Sequence, residues 1–320
     1  MTVEKKLLEL FGDRMKRDEP LAKHLNFRIG GPADYFVEVK TVDELKRGIE
    51  ISNAEGLEYF VLGGGSNTLA SDDGFRGIVF KMAMRGHKID GVYVMAEAGM
   101  ISASLARATA KAGLEGFAWA ISLPGTIGGA VRGNAGCFGG EMKDTVTKVE
   151  VLRDGDIIEL AAKDLNFGYR DSSVKHSEDI VLRVHFELKI GDKDALMKKL
   201  DDTLAARKES QPLHAGSAGC MFKNFEFEGQ EEYDRLKALG EIPEGMLEVH
   251  RISAGWVVDH LDLKGKKIGD AQISGDHGNF IVNLGKATAS DIVQLVALVK
   301  SRARKVYGIQ LQEEVKYLGF

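Results

Sequence analysis

The sequence predicts an α+β protein of about two domains, and three observations carry that expectation. The chain has 320 residues, more than one ordinary core holds. Its β-type runs and amphipathic helical stretches follow one another irregularly, without the strict strand–helix alternation of a parallel α/β sheet. Its 38 glycines, against five prolines, crowd into a few loops, which points to backbone shaped around a ligand.

Taken in order, Thr41-Val-Asp-Glu44 reads as a capping box opening a helix with Val42, Leu45 and Ile49 on one side. A short apolar strand over 59–62 runs straight into Gly63-Gly64-Gly65-Ser66-Asn67-Thr68, and 79–82 reads as another strand. Residues 102–112 are helical and Gly113 ends them. The stretch 123–140, LPGTIGGAVRGNAGCFGG, carries almost no regular-structure signal. Runs over 148–152 and 157–160 flank Arg153-Asp-Gly-Asp156, a hairpin signal, and 180–188 is a further strand. Composition shifts after Ile190: 194–209 is a lysine-rich amphipathic helix stopped before Pro212. That places a first domain over 1–192, in lobes of about 1–82 and 83–192. A second follows over 193–308, with helices near 231–239, 254–260 and 290–307. Ile292, Leu295, Val296, Val299 and Val306 stand at helical spacing in the last of these, and Gly308 stops it. Residues 309–320 form a terminal strand segment, with its β pattern over 309–318.

Composition excludes several classes. Hydrophobic residues at 44%, charged residues at 28% and a net charge of -5 describe an ordinary soluble chain. No basic block calls for nucleic acid and no polybasic segment for a membrane surface. Two distant cysteines fit a reducing compartment, and the charged start MTVEKKLLELFGDRM has no apolar signal core, so a cytoplasmic location is expected. The uncharged run 116–131 is too short and too broken by glycine and Pro124 to span a bilayer. No metal site is expected.

The loop at 63–68 can present successive backbone amides to a phosphate. It is neither a dinucleotide G-x-G-x-x-G nor a P-loop, since no helical pattern and no Gly-Lys-Ser/Thr follows. Gly125-Thr126-Ile127-Gly128-Gly129 and Gly133-Asn134-Ala135-Gly136 add a second wall free of large side chains. Two such loops point to an extended ligand with a pyrophosphate, such as a dinucleotide. A third small-residue turn, AGSAGCMFKN, sets Cys220 three residues from Lys223. By residue type alone, Cys220 is more readily a packing thiol than a reactive one. In the last strand, Glu313 falls on the apolar face with Ile309, Leu311, Val315 and Tyr317, so alternation singles it out as the unusual carboxylate.

Eight blocks occur in a familiar order: NFRIGGPADYF, VLGGGSNTLASDDGF, SLPGTIGGAVRGNAG, YRDSSVK, SAGCMFKN, SAGWVVDHLDLKGKKIGDAQIS, HGNFIVN and LQEEVKYLG. Together, from Asn26 to Gly319, they resemble the UDP-N-acetylenolpyruvoylglucosamine reductases, and the short interval between Arg170 and Cys220 resembles the family's second type. The resemblance implies a two-lobed FAD-binding domain of the vanillyl-alcohol-oxidase type over 1–192 and a smaller α+β substrate-binding domain. It implies non-covalent FAD, NADPH as co-substrate and a monomer. The substrate it implies is UDP-GlcNAc-enolpyruvate, reduced to UDP-N-acetylmuramate for peptidoglycan.

Residue by residue, it makes Arg170 the catalytic arginine, Cys220 the proton donor where the family usually has serine, and Glu314 the catalytic glutamate. Arg28, Ile29 and Gly30, then Gly63, Gly64, Gly65, Ser66, Asn67 and Thr68, then Gly125, Thr126, Ile127, Gly128, Gly129 and Asn134 fall in FAD-binding segments. Tyr169, Lys223, Asn224, His277 and Asn279 fall in substrate-side blocks. Hydride passing from NADPH through the flavin to the vinyl carbon leaves charge on an enolate, which a guanidinium can grip. A thiol, with a reference pKa of roughly 8.5, can then protonate the carbon. Glu313 and Phe225 stand where the family usually has proline. Cys137, in the second glycine loop, reads as structural. Two other functions share the glycine loops: a flavin oxidase with another substrate, and a flavin- or nucleotide-sugar-binding protein without turnover.

Overall fold

The computed structural model describes residues 1–210 and 215–320, and the chain divides into two units. The first is Met1–Glu19, Pro32–Gly65 and Phe75–Glu209; the second is Pro20–Gly31, Ser66–Gly74 and Ser210–Phe320.

The first unit is built on two sheets. In one, Phe75–Met82 lies between Pro32–Val39 and Tyr59–Leu62, parallel to both, and Met15–Pro20 flanks Pro32–Val39. Ile78, Val79 and Phe80 are all fully buried, as expected of a parallel strand covered on both faces. The helix Val42–Ala54 crosses between the two outer parallel strands. Thr41 caps it through its hydroxyl, which accepts from the Glu44 amide at 3.1 Å. The Glu44 carboxylate accepts from the Lys40 amide at 2.8 Å and from both terminal nitrogens of Arg14. The bond from Arg14, more than any other cause, holds that carboxyl below its ordinary range. The expected capping box is therefore only half formed: Thr41 caps the Glu44 amide, while the Glu44 carboxylate turns to the Lys40 amide and to an ion pair with Arg14.

The second sheet is antiparallel, in the order Asp156–Ala161, Val146–Arg153, Ile180–Glu187, Tyr93–Glu97, His87–Asp90. The predicted hairpin is present, with Asp154 and Gly155 both at positive φ, 50° and 88°, the backbone of a type I′ turn. One expectation is corrected here: the stretch 123–140 holds a helix, Ile127–Arg132, and a two-strand ribbon of Gly136–Cys137 with Gly140–Glu141. Glycine lowers helix propensity and hid the helix. Ile127, Ala130 and Val131 secure it by burial.

The helix expected over 194–209 runs Lys193–Ser210. Leu196 and Leu200, 5% and 0% exposed, belong to the first unit's core, so this helix does not open the second domain as its composition indicated. Its expected stop at Pro212 lies outside the described residues.

In the second unit, Lys267–Ile268, Ala271–Ile273 and Ile281–Asn283 form an antiparallel sheet. The helix Ala289–Tyr307 buries Ile292, Leu295, Val296 and Val299 in the same core. Thr288 and Asp291 form its reciprocal capping box, and Gly308 ends it at φ 67°. Val306 is exposed; Ala303, four residues after Val299, and Tyr307, four after Ala303, continue the buried stripe instead. The long terminal strand is shortened to Lys316–Leu318, paired in parallel with Thr68–Ala70. Ile309, Leu311 and Val315 are still buried by alternation, but upstream of Lys316 the only ladder among the described residues is a bridge from Glu313 to Phe222.

No helix among the described residues is long and apolar enough to cross a membrane. Truncating Leu200 to alanine should destabilise the protein by about 2–5 kcal/mol, read as a lowered urea midpoint. An unchanged midpoint would place the helix Lys193–Ser210 outside the core.

Candidate functional site

In the first unit the two glycine loops meet backbone to backbone. A Cβ on Gly64 would lie 2.5 Å from Gly125 Cα, and one on Gly63 2.7 Å from Thr126 Oγ1. Gly65 and Gly125 have φ of 71° and 106°. Thr126 is buried, and its hydroxyl has no hydrogen-bond partner among the described residues. Not every amide expected to face a ligand is available. Those of Ile127 and Gly128 donate to the carbonyls of Met100 and Ala98, both at 2.9 Å, and the Ile127 side chain is in the core. A Cβ on Gly128 would press on Ala98 at 2.9 Å, whereas one on Gly129 would meet only Thr126 Oγ1, at 3.8 Å.

The second loop also holds the Arg170 turn. Gly168 and Asp171 exchange backbone bonds, and Arg170 sits between them at φ 54°, a conformation uncommon for a side chain of that size. Arg170 Nη2 donates to the Gly136 carbonyl at 2.8 Å, and its guanidinium lies 5.3 Å from the Tyr169 ring centre. Lys175 Nζ donates to the Arg170 carbonyl at 2.7 Å. Asn134, fully buried, donates to the carbonyl of Gly168 at 2.8 Å and to Glu141 Oε2 at 3.0 Å, and accepts from the Lys143 amide. Arg132, at the end of the helix Ile127–Arg132, donates to the carbonyls of Val174 and Lys175 at 2.7 and 3.0 Å, while its own carbonyl accepts from Ser172 Oγ at 2.8 Å. Sequence reasoning missed Arg132 and Ser172, since only the fold shows which carbonyls they reach. The Cys137 thiol lies 3.5 Å from Ser122 Oγ and 3.6 Å from the Trp119 carbonyl.

The second unit brings Cys220 and Glu314 onto neighbouring backbone. Cys220 bridges to Phe280, and the next residue, Met221, accepts from the Glu314 amide at 2.8 Å. Gly219, at φ 81°, turns the chain into this segment. Asn279 fixes it with both ends of its buried amide: Oδ1 accepts from the Phe222 amide at 2.9 Å and Nδ2 donates to the Phe222 carbonyl at 2.8 Å. Its role here is to hold this backbone. Lys223 donates its amide to the Gln312 carbonyl, and Asn224 Oδ1 accepts from the Ala254 amide at 3.1 Å. Asn67 Nδ2 donates to the Glu314 carbonyl at 3.1 Å, and the Asn67 carbonyl accepts from the Lys316 amide.

Glu313, the carboxylate that alternation singles out, is ion-paired with Lys300 at 2.9 Å. Phe225, the other departure from a usual proline, pairs with Ile252 and stacks on Phe227.

Of the remaining expected residues, Ile29 lies in the second unit's core. Arg28 is exposed at φ 56°. Gly30, at φ 136°, packs so closely on Ala70 that a Cβ would lie 2.7 Å from it. Thr68 is buried in the strand Thr68–Ala70 and Ser66 is half-buried. His277 is half-buried, and burial pushes its imidazole below its ordinary pKa against the pull of Asp259. Its Nδ1 accepts from the Asn279 amide at 3.2 Å, which puts the neutral ring's proton on Nε2.

Residues 33–161 match an FAD binding domain, and residues 211–318 match the UDP-N-acetylenolpyruvoylglucosamine reductase C-terminal domain. The UDP-N-acetylenolpyruvoylglucosamine reductase of Alkaliphilus oremlandii is 37% identical over 310 residues, covering 96% of this chain and 94% of its own. That of Clostridioides difficile is 36% identical over 308 residues, 95% of this chain and 93% of its own. The crystal structure of the Thermus caldophilus UDP-N-acetylenolpyruvylglucosamine reductase superposes with a TM-score of 0.76 at 35% identity, covering 95% of this chain and 99% of that one. The chain belongs to the UDP-N-acetylenolpyruvoylglucosamine reductase family.

As a member of this reductase family it is an FAD-dependent oxidoreductase. The first unit fits that cofactor: a ligand-facing edge of glycine backbone carrying an unsatisfied buried hydroxyl, Thr126 Oγ1, suits an anionic pyrophosphate. Replacing Arg132 by methionine keeps the apolar stem and strips the Val174 and Lys175 carbonyls of their donor. An unmet buried polar group costs about 1–3 kcal/mol. We expect kcat to fall about tenfold or more in R132M while FAD is retained; an unchanged kcat would show that the Arg170 turn does not depend on Arg132.

Proposed function

We propose that this reductase converts the enolpyruvyl ether of UDP-GlcNAc to UDP-N-acetylmuramate, with NADPH as reductant and Arg170, Cys220 and Glu314 as its catalytic groups. One observation carries the reading furthest. The turn bearing Arg170 is hydrogen-bonded at several points to the glycine-rich loop suited to a pyrophosphate, so one rigid body serves both cofactor and cation.

Bound FAD, recharged by NADPH, supplies the hydride that adds to the terminal vinyl carbon. The electron pair of the double bond then moves toward the substrate carboxylate. Arg170 meets the resulting enolate with a charge that stays fixed at any working pH. Its αL backbone and its bond to Gly136 set its direction before substrate arrives, so little reorganisation is required at the transition state. Cys220 donates its thiol proton to the carbon next to the carboxylate, which completes the reduction, and the thiolate regains a proton from solvent. Glu314, anchored by its amide to Met221 and by its carbonyl to Asn67, orients the enolate and its proton donor. Asn67 thereby carries a flavin-loop residue to the backbone of the catalytic carboxylate. Lys223 and His277 serve the anionic substrate. The chain works as a monomer in the cytoplasm.

The test is NADPH consumption by the flavin-loaded protein under nitrogen, with and without UDP-GlcNAc-enolpyruvate. Turnover should appear only with the sugar. A flavin that NADPH reduces but only oxygen reoxidises would replace this reading with an oxidase. Cys220→Ser should keep substantial turnover and carry the alkaline loss of activity to higher pH, because a hydroxyl ionises later than a thiol. Cys220→Ala should lose it; full turnover in that variant would remove Cys220 from the proton transfer.

A further inference from the structure

Lys81 lies near the carboxyl end of the central parallel strand, Phe75–Met82, in register with Leu62 on one side and Glu38 on the other. Ligands of open parallel sheets bind beyond this end of the strands. Leu62 is the last residue of its strand, and the next is Gly63, the first glycine of the loop. The Lys81 ammonium donates to the Gly63 carbonyl at 2.5 Å.

That bond fixes more than a carbonyl. In a trans peptide the C=O and the following N–H share one plane and point in opposite directions. Holding the Gly63 carbonyl toward Lys81 therefore aims the Gly64 amide the other way. With no side chain at either residue, this bond and the close approach to Gly125 are what set that plane. Burial and, less strongly, repulsion from Arg85 bring the amine down to about 8 against the pull of Glu38. Lys81 is half-buried, and a diphosphate at the loop would add to the negative charge that Glu38 supplies.

We propose that Lys81 is a positioning residue of the cofactor site, which turns the first glycine loop so that its amides face the pyrophosphate of FAD, its own charge acting on that anion from behind the Gly63–Gly64 peptide. The inference rests on the FAD-dependent reading of this chain. Its pH sign follows directly. The free protein's amine is protonated below about pH 8, and a bound dianion raises its pKa. FAD affinity is therefore full below that pH and falls as pH rises through it.

The test uses flavin-stripped protein, titrated by fluorescence with FAD and with riboflavin, which lacks the pyrophosphate, at pH 6.5 and pH 9. A charged donor is worth about tenfold or more in affinity. Wild type should bind FAD more weakly at pH 9. Lys81→Met should bind FAD about tenfold more weakly than wild type at pH 6.5, lose the pH dependence and bind riboflavin unchanged, while Lys81→Arg restores part of the difference. FAD binding by K81M equal to wild type at pH 6.5, or wild-type affinity independent of pH, overturns the proposal. Equal losses for FAD and riboflavin overturn it in favour of a general structural role. If the wild type binds no FAD at either pH, the flavin reading itself fails and takes the proposal with it, an outcome distinct from the others.

Discussion

The first unit depends on a short set of hydrogen bonds between the second glycine loop and the turn that carries Arg170. Asn134 is the centre of it. Its backbone is at φ 38°, which asparagine tolerates better than most side chains, and its fully buried amide reaches three partners. Arg132 and Ser172 close the set from opposite ends, each bonded to backbone of the other's loop. A buried polar network of this kind stabilises little if one member is missing and fixes a unique geometry when complete. Glycine alone gives a loop freedom to adopt many shapes. This network selects one of them and delivers Arg170 in a strained backbone state, as functional residues often are.

The second unit solves the same problem with one side chain. Asn279 reads both the donor and the acceptor of Phe222, which an ionised carboxylate of similar length cannot do. The segment with Cys220 is thereby held on one flank, and the backbone preceding the last strand holds it on the other. Both units thus place the side chains proposed to react on irregular backbone and leave its orientation to buried asparagines. Regular ladders supply the surrounding rigidity.

Most of the regular elements were legible because burial and periodicity agree. Leu45 lies on the inner face of its helix and Ile292, Leu295 and Val299 on that of theirs, as spacing requires. The hairpin at Asp154-Gly155 is written in its turn residues. Elements whose stability comes from elsewhere were not legible. The helix Ile127–Arg132 has two glycines and few helix-forming residues, and tertiary burial makes it. The helix Lys193–Ser210 has its charged face on view, while Leu196 and Leu200 decide which unit it joins. In the candidate site, motif resemblance points to Arg170, Cys220 and Glu314, while alternation points to Glu313, which the structure pairs with Lys300, thirteen residues upstream. Arg132, Ser172 and Lys81 left no signal, since their partners are backbone atoms remote in sequence.

The pairing of Thr68–Ala70 with Lys316–Leu318 joins positions far apart in the sequence. With Pro20–Gly31 it makes the second unit discontinuous: two of its three pieces are laid down early in synthesis and wait for the third. Closing so long a loop costs chain entropy before any contact repays it. An excised fragment from Ser210 onward would carry the Cys220 turn and Glu314 but present the Lys316–Leu318 strand as a bare edge, open to pairing with another chain. The second unit is therefore not a transplantable module. Its integrity rests on pieces that span the chain from Pro20 to the strand Lys316–Leu318, so none of them folds into this unit without the others.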